Sequence, residues 1–187
     1  MVSVELDESR VLIIAKLGIE GYSILARLAS NCESVIWVSS NPNIPSKITQ
    51  AYSLKAKILG FYSESNQVIS PLSLNEISSI VRHLGAEKAC VIISCLSELL
   101  MYHNVNRVYY FLLNMMKTTK KLFGMLIDGA QSRRDEMLIS TLFDAVFRLE
   151  KKMINDKFEI VLVPEVYTKN TVYRLRYNNT IKLKFIT

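Results

Sequence analysis

The sequence predicts an α/β fold, in which a mostly parallel sheet is flanked by helices and followed by an antiparallel β extension. Short apolar strands alternate with helical segments as far as Leu149, which is the pattern of parallel strands joined by right-handed crossovers. After Asn155 the pattern changes to three successive strands with turn-type residues between them. We therefore expect one domain over residues 1–187, with a core at about residues 10–152 and a β-meander at about residues 156–187.

Composition indicates a globular protein with a sizeable core. The chain has 187 residues, of which 50% are hydrophobic and 21% charged. No apolar run approaches the roughly 18 to 20 residues that a membrane-spanning helix needs. The first ten residues carry Glu5, Asp7 and Glu8 and no cationic segment, unlike a secretory signal. We expect a soluble, cytoplasmic protein without a membrane partner.

Helix-start and helix-stop signals define the elements of the first half. Ser73 and Glu76 have the spacing of a capping box, and Gly85 stands where that helix should end. Pro45 suits another helix start, with Ser46 or a nearby residue as the cap. The predicted elements are a strand from Val11, a helix at Tyr22–Asn31, a strand at Ser34–Ser39, a helix at Pro45–Lys57, a strand at Ile58–Tyr62, a loop at Ser63–Pro71 with an extended piece at Val68–Ile69, a helix at Ser73–Leu84 and a strand at Lys88–Ile93.

The second half continues the alternation before the tail begins. Lys88–Ile93 is the most apolar strand, so we expect it at the centre of the sheet. The predicted helices are Leu96–Tyr102, Val105–Lys121 and Asp135–Leu142, and the predicted strands are Leu122–Ile127, Asp144–Leu149, Phe158–Val163, Val172–Tyr177 and Thr180–Ile186. Asp128–Arg134 is predicted to be a loop.

Cysteine and histidine content argues against a metal site. The three cysteines, Cys32, Cys90 and Cys95, form no C-x-x-C pair, and there are only two histidines, His83 and His103. We expect buried, inert thiols, histidines that are structural or exposed, and no bound metal.

The segment from Val11 to Ala29 has the layout of a phosphate-binding loop. A buried strand, a glycine-containing turn and a helix follow one another, as in the pattern G-x-x-x-x-G-K-[ST]. Gly21 and Ser23 match the second glycine and the hydroxyl, whereas Lys16 stands at the first glycine and Tyr22 at the lysine. The alternative is an ordinary strand–turn–helix unit in which Gly18 and Gly21 are turn glycines.

Three further passages share features with one family. Ala89–Leu100 has the form of a Walker B strand and its exit, with Ser94 where an aspartate associated with magnesium belongs. Val35–Asn41 is like the strand that ends in acids which polarise the attacking water, but here it ends in Ser39, Ser40 and Asn41. Leu126–Leu149 is like the sensor strand, its loop and the strand that closes the core. Over about residues 11–152, the sequence resembles the RecA-like ATPase core, in its KaiC and RadA-paralogue branch.

The resemblance implies a nucleotide site that has lost its chemistry. Phosphoryl transfer needs a lysine on the phosphates, a metal held by Ser/Thr and Asp, and an oriented water. Here Tyr22 replaces the lysine, Ser94 the metal-binding aspartate, and neutral side chains the acid that polarises water. We expect a pseudo-ATPase with no catalytic residue and no cofactor, whose degenerate site comprises Lys16, Gly18, Gly21, Tyr22, Ser23 and Ser94. A substitute role for Lys16 on phosphate, or for Glu20 on a metal, is the remaining route to catalysis.

Several of these residues also have purely structural interpretations. Ser94 and Cys95 are small residues beside a turn, although ligands bind at the carboxyl ends of strands in open α/β sheets. Asp144 fits a turn or cap, and Glu98 fits an acid that faces solvent or lies in a cap region.

The net charge of +6 directs attention to acidic partners such as nucleic acid. By the resemblance, the loop with Arg133 and Arg134 matches a segment that touches DNA, although Asp135 and Glu136 would offset this pair in solvent. The tail strands place further cations on one face of a sheet, which is either a nucleic-acid surface or an ordinary solvated face. These tail candidates are Arg174, Arg176, Lys182 and Lys184.

Three functions follow as hypotheses. The first is a non-catalytic accessory protein that assembles with a RecA-family ATPase or a sister subunit in DNA recombination or repair. The second is a KaiC-like signalling or motility scaffold without DNA contact. The third is an enzyme that uses a non-standard loop.

Overall fold

The computed structural model describes residues 9–61, 67–154, 157–166, 173–178 and 180–185, and for residues 67, 154, 157–159 and all those after 165 it describes the backbone alone. In these ranges the helices are α1 Ile19–Leu28, α2 Asn43–Ala51, α3 Leu74–His83, α4 Leu96–Tyr102, α5 Val105–Thr118 and α6 Arg133–Ser140. The strands are β1 Arg10–Ala15, β2 Val35–Ser39, β3 Ala56–Gly60, β4 Gln67–Val68, β5 Cys90–Ile93, β6 Lys121–Ile127, β7 Ala145–Ile154, β8 Lys157–Val166, β9 Tyr173–Asn178 and β10 Thr180–Phe185.

All of these strands belong to one sheet, with the order β10-β9-β8-β7-β1-β6-β5-β2-β3-β4. From β7 to β4 in this order, the neighbouring strands β7, β1, β6, β5, β2, β3 and β4 pair in parallel. The pairs β7–β8, β8–β9 and β9–β10 are antiparallel. The predicted fold class is therefore confirmed: a mostly parallel sheet with helices and an antiparallel extension at the C-terminal end. β5 lies inside the parallel part, between β2 and β6, as its apolar sequence predicts.

Each face of the parallel sheet carries its own hydrophobic core. On β1, Leu12 and Ile14 face the core beneath α3, α4, α5 and α6, while Val11 and Ile13 face the core beneath α1 and α2. Every residue from Val11 to Ala15 is buried, because helices cover both faces of the sheet. The crossovers bring the carboxyl ends of β1, β2 and β5 to one edge, where the candidate site lies.

The predicted start and end of α2 are wrong, whereas the predicted start of α3 is confirmed. α2 begins at Asn43 after Pro42, so Pro45 lies inside its first turn and Ser46 is not the cap but donates a hydrogen bond back to the Pro42 carbonyl at 2.8 Å. α2 ends at Ala51 instead of Lys57, and the left-handed φ of 53° at Ser53 leads the chain into β3. Ser73 caps α3 as predicted, because its Oγ accepts from the Glu76 N–H at 3.3 Å.

The loop predicted at Asp128–Arg134 ends earlier than the sequence pattern suggests. Ser132 is the N-cap of α6, and its Oγ accepts from the Asp135 N–H at 3.1 Å. Arg133 and Arg134 therefore lie in the first turn of a helix, not in a loop. Gly85, in contrast, follows α3 with a φ of +89°, which confirms its role as the glycine that ends the helix.

β7 and β8 form a longer hairpin than predicted. Their antiparallel register continues as far as Ile154 and Lys157, beyond the predicted ends at Leu149 and Phe158. Pro164 lies inside β8 opposite Phe147, next to a register shift, which is where a strand tolerates a proline. Residues 1–8, 62–66 and the predicted tail turns at 169–170 and 179 lie outside the described residues. Within the described ranges, no helix has the length and apolar character required to cross a membrane.

Candidate functional site

The connection between β1 and α1 is shorter than a phosphate-binding loop requires. It comprises only Lys16 to Gly18, because α1 already begins at Ile19. A phosphate-binding loop presents several backbone N–H groups from outside the helix, whereas here the segment from Ile19 to Gly21 is helical. Glu20 also adds a carboxylate to the first turn of α1, where the helix dipole would otherwise favour a bound anion.

Both glycines of this segment have structural explanations. Gly18 is the N-cap of α1, with a φ of 158°. A Cβ added to Gly21 would lie 2.7 Å from Met125 Sδ and 3.0 Å from Ala15 Cβ, so Gly21 permits α1 to approach the sheet closely. The hydroxyl of Ser23 donates to the Ile19 carbonyl at 3.1 Å, a bond within the helix.

Lys16 is exposed at the outer side of the turn. With Leu17 and Glu20 it lines a shallow pocket of about 220 Å³, whose other wall comes from Leu149, Glu150, Lys151 and Ile160 of β7 and β8. Leu17 is 84% exposed. The two residues considered as substitutes for the missing chemistry, Lys16 and Glu20, thus lie together at a pocket against the antiparallel strands.

Tyr22 lies at the centre of the site. Its side chain is 9% exposed, and its ring stacks on Trp37 of β2 with centroids 6.3 Å apart and an interplanar angle of 17°. Burial, and next the negative charge of Glu98, raise the pKa of the Tyr22 hydroxyl, while hydrogen bonds with Ser39 and Ser94 partly offset this. The Tyr22 ring therefore covers the carboxyl ends of β2 and β5.

Ser94 is committed to a hydrogen-bond network of its own. It is 1% exposed, accepts from Trp37 Nε1 at 3.0 Å, and donates to the Val38 carbonyl at 3.3 Å. On the neighbouring strand, Ser39 donates to the Asn41 carbonyl at 3.0 Å. The family resemblance would place acidic side chains at Ser94 and Ser39. Both positions are thus occupied by neutral hydroxyls that form hydrogen bonds with nearby groups of the protein.

Glu98 is a member of this cluster that the sequence interpretation did not include. It lies in the first turn of α4, as expected for a cap-region acid, but it faces the site: Ser40 Oγ donates to its Oε1 at 2.8 Å. Its Oε2 is buried and has no hydrogen-bond partner among the described residues. The signal available in the sequence was the spacing, since Glu98 follows Ser94 by four residues and lies in the first turn of the helix that leaves the same edge of the sheet.

Cys95, the next residue after Ser94, is a free and fully buried thiol. Burial, followed by the charge of Glu98, raises the pKa of Cys95 well above its ordinary value, so the thiolate is disfavoured. The expectation of an inert thiol is confirmed for Cys95. It is wrong for Cys32 and Cys90, which form a disulfide with a Cα–Cα distance of 6.1 Å.

A second charged cluster surrounds Arg148 of β7. Its guanidinium donates to Glu136 at 2.7 Å, to Glu165 at 2.6 Å and to Asp128. Burial lowers the pKa of Arg148, but hydrogen bonds to Glu165 and Glu136 and their charges outweigh burial and raise it. The nucleic-acid candidate Arg133 is paired here with Glu136, whereas Arg134 is exposed.

The four tail candidates occupy two cross-strand pairs. In the register of β9 and β10, Arg174 is opposite Lys184 and Arg176 is opposite Lys182. Their side chains lie outside the described part of the chain.

The histidines have no metal-site neighbours. His103 is buried and its Nε2 lies 2.9 Å from the Pro71 carbonyl, while His83 is exposed at the end of α3. Within the described residues, no group of three or more His, Cys, Asp or Glu side chains is arranged to hold a metal ion.

The strand order and the crossovers define a RecA-like fold, the class to which KaiC-like proteins and FlaH belong. The chain is similar to the flagellar accessory protein FlaH from Methanocaldococcus jannaschii, with a TM-score of 0.66 and 16% identity over 95% of this chain and 90% of that chain. It is also similar to a KaiC-like protein from Pyrococcus horikoshii OT3, with a TM-score of 0.68 and 10% identity over 95% and 90%. A third similar structure is an uncharacterized protein from Pyrococcus horikoshii in complex with an unknown peptide, with a TM-score of 0.63 and 11% identity over 98% and 94%.

No protein-family model and no curated protein matches the sequence. At these identities, the structural similarity establishes the fold alone.

Proposed function

We propose that this protein is a non-catalytic accessory scaffold with a RecA-like fold, which assembles with a RecA-like protein subunit. The observation that carries the proposal is the position of Tyr22. Its buried ring stacks on Trp37 and covers the strand ends over which a phosphate-binding lysine would act. A bulky neutral side chain there both removes the required charge and fills the space.

The neighbours of Tyr22 support the same conclusion. Ser94 forms hydrogen bonds with Trp37 and Val38, and Oε1 of Glu98 accepts from Ser40, so these atoms already have partners inside the protein. The buried Oε2 of Glu98 has none among the described residues. At the α1 N-terminus, the carboxylate of Glu20 in the first turn opposes the attraction of the helix dipole for a phosphate. The residues around Tyr22 thus form a packed, polar part of the core. If no nucleotide binds there, the protein acts through contacts made by its surface.

The similar structures fit a scaffold at least as well as a recombination protein. One is a flagellar accessory protein and another is KaiC-like. Arg133, the strongest local candidate for a phosphate contact, is neutralised by Glu136 and lies 4.0 Å from Glu165. We therefore favour the KaiC-like scaffold without DNA contact over the recombination hypothesis, and we keep the cytoplasm as the proposed location.

The nucleotide test is a thermal melt with Mg-ATP and with Mg-ADP. A site filled at a hundred times its Kd would add about 2.7 kcal/mol, or roughly 5 to 11 °C in Tm for a chain of this size. We expect a shift below about 1 °C, because Tyr22 and Glu20 oppose phosphate binding. A shift of several degrees, together with phosphate release that Glu98→Gln abolishes, would overturn the proposal. Phosphate release that is lost only in Lys16→Ala/Glu20→Gln would also overturn it, whereas phosphate release that persists in both variants would indicate a contaminating ATPase.

A second candidate function, contact with nucleic acid through the tail, is favoured by one observation. The register of β9 and β10 sets two arginines opposite two lysines, an arrangement that is unfavourable unless an anion lies nearby.

The test compares DNA binding by the parent, Lys182→Glu/Lys184→Glu and Lys47→Glu/Lys55→Glu across a range of salt concentrations. Lys47 and Lys55 are exposed and change the net charge equally. For a scaffold without DNA contact, we expect both double variants to weaken any residual binding to the same extent, because only the overall charge matters. A loss of affinity and of salt dependence confined to the tail variant would establish the nucleic-acid function.

A further inference from the structure

A groove runs between α3 and α5 on the face of the sheet opposite α1 and α2. It consists of two adjoining cavities of about 280 and 340 Å³, which share Asn75, Ser78 and Asn114. On α5 the lining residues extend from Arg107 to Thr118, which corresponds to a length of about 16 Å at 1.5 Å per residue. On both helices they recur at helical spacing, so the groove follows two parallel ridges of side chains.

The groove has an apolar floor, an apolar rim at the first cavity, and neutral polar side chains along the rest of its walls, namely Ser73, Asn75, Ser78, Asn114 and Thr118. Leu74, Phe111 and Met115 line it from the core and are buried. At its rim, Leu72 is 66% and Tyr110 is 65% exposed. Large apolar side chains exposed around a concave surface are typical of a site where a partner docks, since water is displaced from both surfaces on binding.

All charged residues that line the groove are cations. Arg107, Lys117 and Arg82 are exposed, and no carboxylate from the described part of the chain lines either cavity. Among the described residues none of these three cations has an ion pair. The charge pattern therefore complements an acidic ligand, and the apolar floor requires that this ligand also has apolar side chains.

We propose that the groove between α3 and α5 docks an acidic, amphipathic helix of a partner protein. About three helical turns fill a length of about 16 Å. An apolar stripe then packs on Leu74, Phe111 and Tyr110, and flanking carboxylates lie near Arg107 and Lys117. A nucleic-acid backbone fits less well, because phosphates would leave the apolar floor uncovered. The proposal concerns a surface remote from Tyr22, so it does not depend on the state of the nucleotide site.

The experiment is a selection from a displayed peptide library, with purified full-length protein as the target. Each peptide is a helix with a fixed Leu/Phe stripe, and its flanking positions vary among Glu, Lys, Gln and Ser. We expect Glu to be enriched at the flanks. We also expect the best peptide to bind Arg107→Glu/Lys117→Glu at least about tenfold more weakly than the parent, because two charge contacts become repulsive. Lys47→Glu/Lys55→Glu, with the same change of charge on the opposite face, should bind like the parent.

Tyr110→Ser provides a second variant without a change of charge, and it should also weaken the selected peptide. Circular dichroism and Tm of each variant establish that it is folded. Absence of enrichment, enrichment of neutral or lysine-flanked peptides, or equal binding to Arg107→Glu/Lys117→Glu would overturn the proposal. Duplex DNA that binds in a manner dependent on Arg107 and Lys117, with no acidic peptide selected, would show that the groove serves nucleic acid instead. None of these outcomes affects the melts with nucleotide, so the two proposals fail independently.

Discussion

Replacing Arg148 with methionine should lower the free energy of unfolding by roughly 3 kcal/mol, because it leaves the buried carboxylate of Glu136 with the largely exposed Arg133 as its remaining cationic partner. Arg148 donates to Asp128, Glu136 and Glu165, which lie on the exit of β6, on α6 and on β8. Glu136 is only 4% exposed, so its carboxylate cannot recover the lost interaction from water. The value lies at the lower end for buried pairs, because the side chains of Asp128 and Glu165 are 29% and 27% exposed.

Denaturant unfolding of the parent and of Arg148→Met measures this effect. The matched control is Arg134→Met, since Arg134 is an exposed arginine on α6, and we expect its effect to stay within about 0.5 kcal/mol. Adding Glu136→Gln to Arg148→Met should restore part of the stability, because it removes a buried charge that only the exposed Arg133 then offsets. Equal stability of Arg148→Met and the parent would mean that the cluster contributes nothing to folding.

The fold was predictable because the strands of a parallel sheet carry their own signature. Val11–Ala15 and Lys88–Ile93 are nearly continuous apolar runs, and helices covering both faces are the reason. The ends of helices were less predictable where a hydrogen bond made by one side chain determines where the helix begins. Ser132, for example, starts α6 two residues before the predicted helix and thereby moves Arg133 from a loop into a helical turn.

The candidate site was predictable only in part, since its residues meet through the fold. The positions of Tyr22 and Ser94 followed from comparison with a motif, whereas the stacking of Tyr22 on Trp37 depends on how α1 lies on β2. Arg148 was not singled out, because its carboxylate partners are 12 to 20 residues away along the chain and no local pattern marks them. Long-range pairing of this kind is a consequence of topology rather than of periodicity.

The disulfide was missed for a related reason. Cys32 and Cys90 are separated by 58 residues, and neither lies in a motif. The topology contained a usable signal: α1 returns the chain to the amino edge of the sheet, β5 begins at that edge, and β2, which follows Cys32, pairs with β5. Two cysteines at the same edge of adjacent elements are candidates for a bond, even when a third cysteine makes the total odd.

Reduction of the bond between Cys32 and Cys90 should lower the free energy of unfolding by about 4 kcal/mol. The reason is that cross-linking residues so far apart removes much of the chain entropy of the unfolded state, and this term grows with loop length. The measurement is guanidinium unfolding with and without excess dithiothreitol. Cys32→Ser should resemble the reduced parent and no longer respond to dithiothreitol, whereas Cys95→Ala should keep the full response.

Thiol titration of the unreduced protein in denaturant tests the bond directly, since one free thiol is expected, from Cys95, and three would contradict the disulfide. The outcome also bears on the proposed cytoplasmic location. Structural disulfides are rare in the reducing cytosol of mesophiles but occur inside cells of hyperthermophiles. Because Cys90 is 3% exposed, a reductant reaches the bond mainly from the side of Cys32 or after local opening. If the bond forms only during purification in air, it joins two thiols that the fold already holds side by side. In the cell, the reduced protein would then keep the same fold with a lower free energy of unfolding.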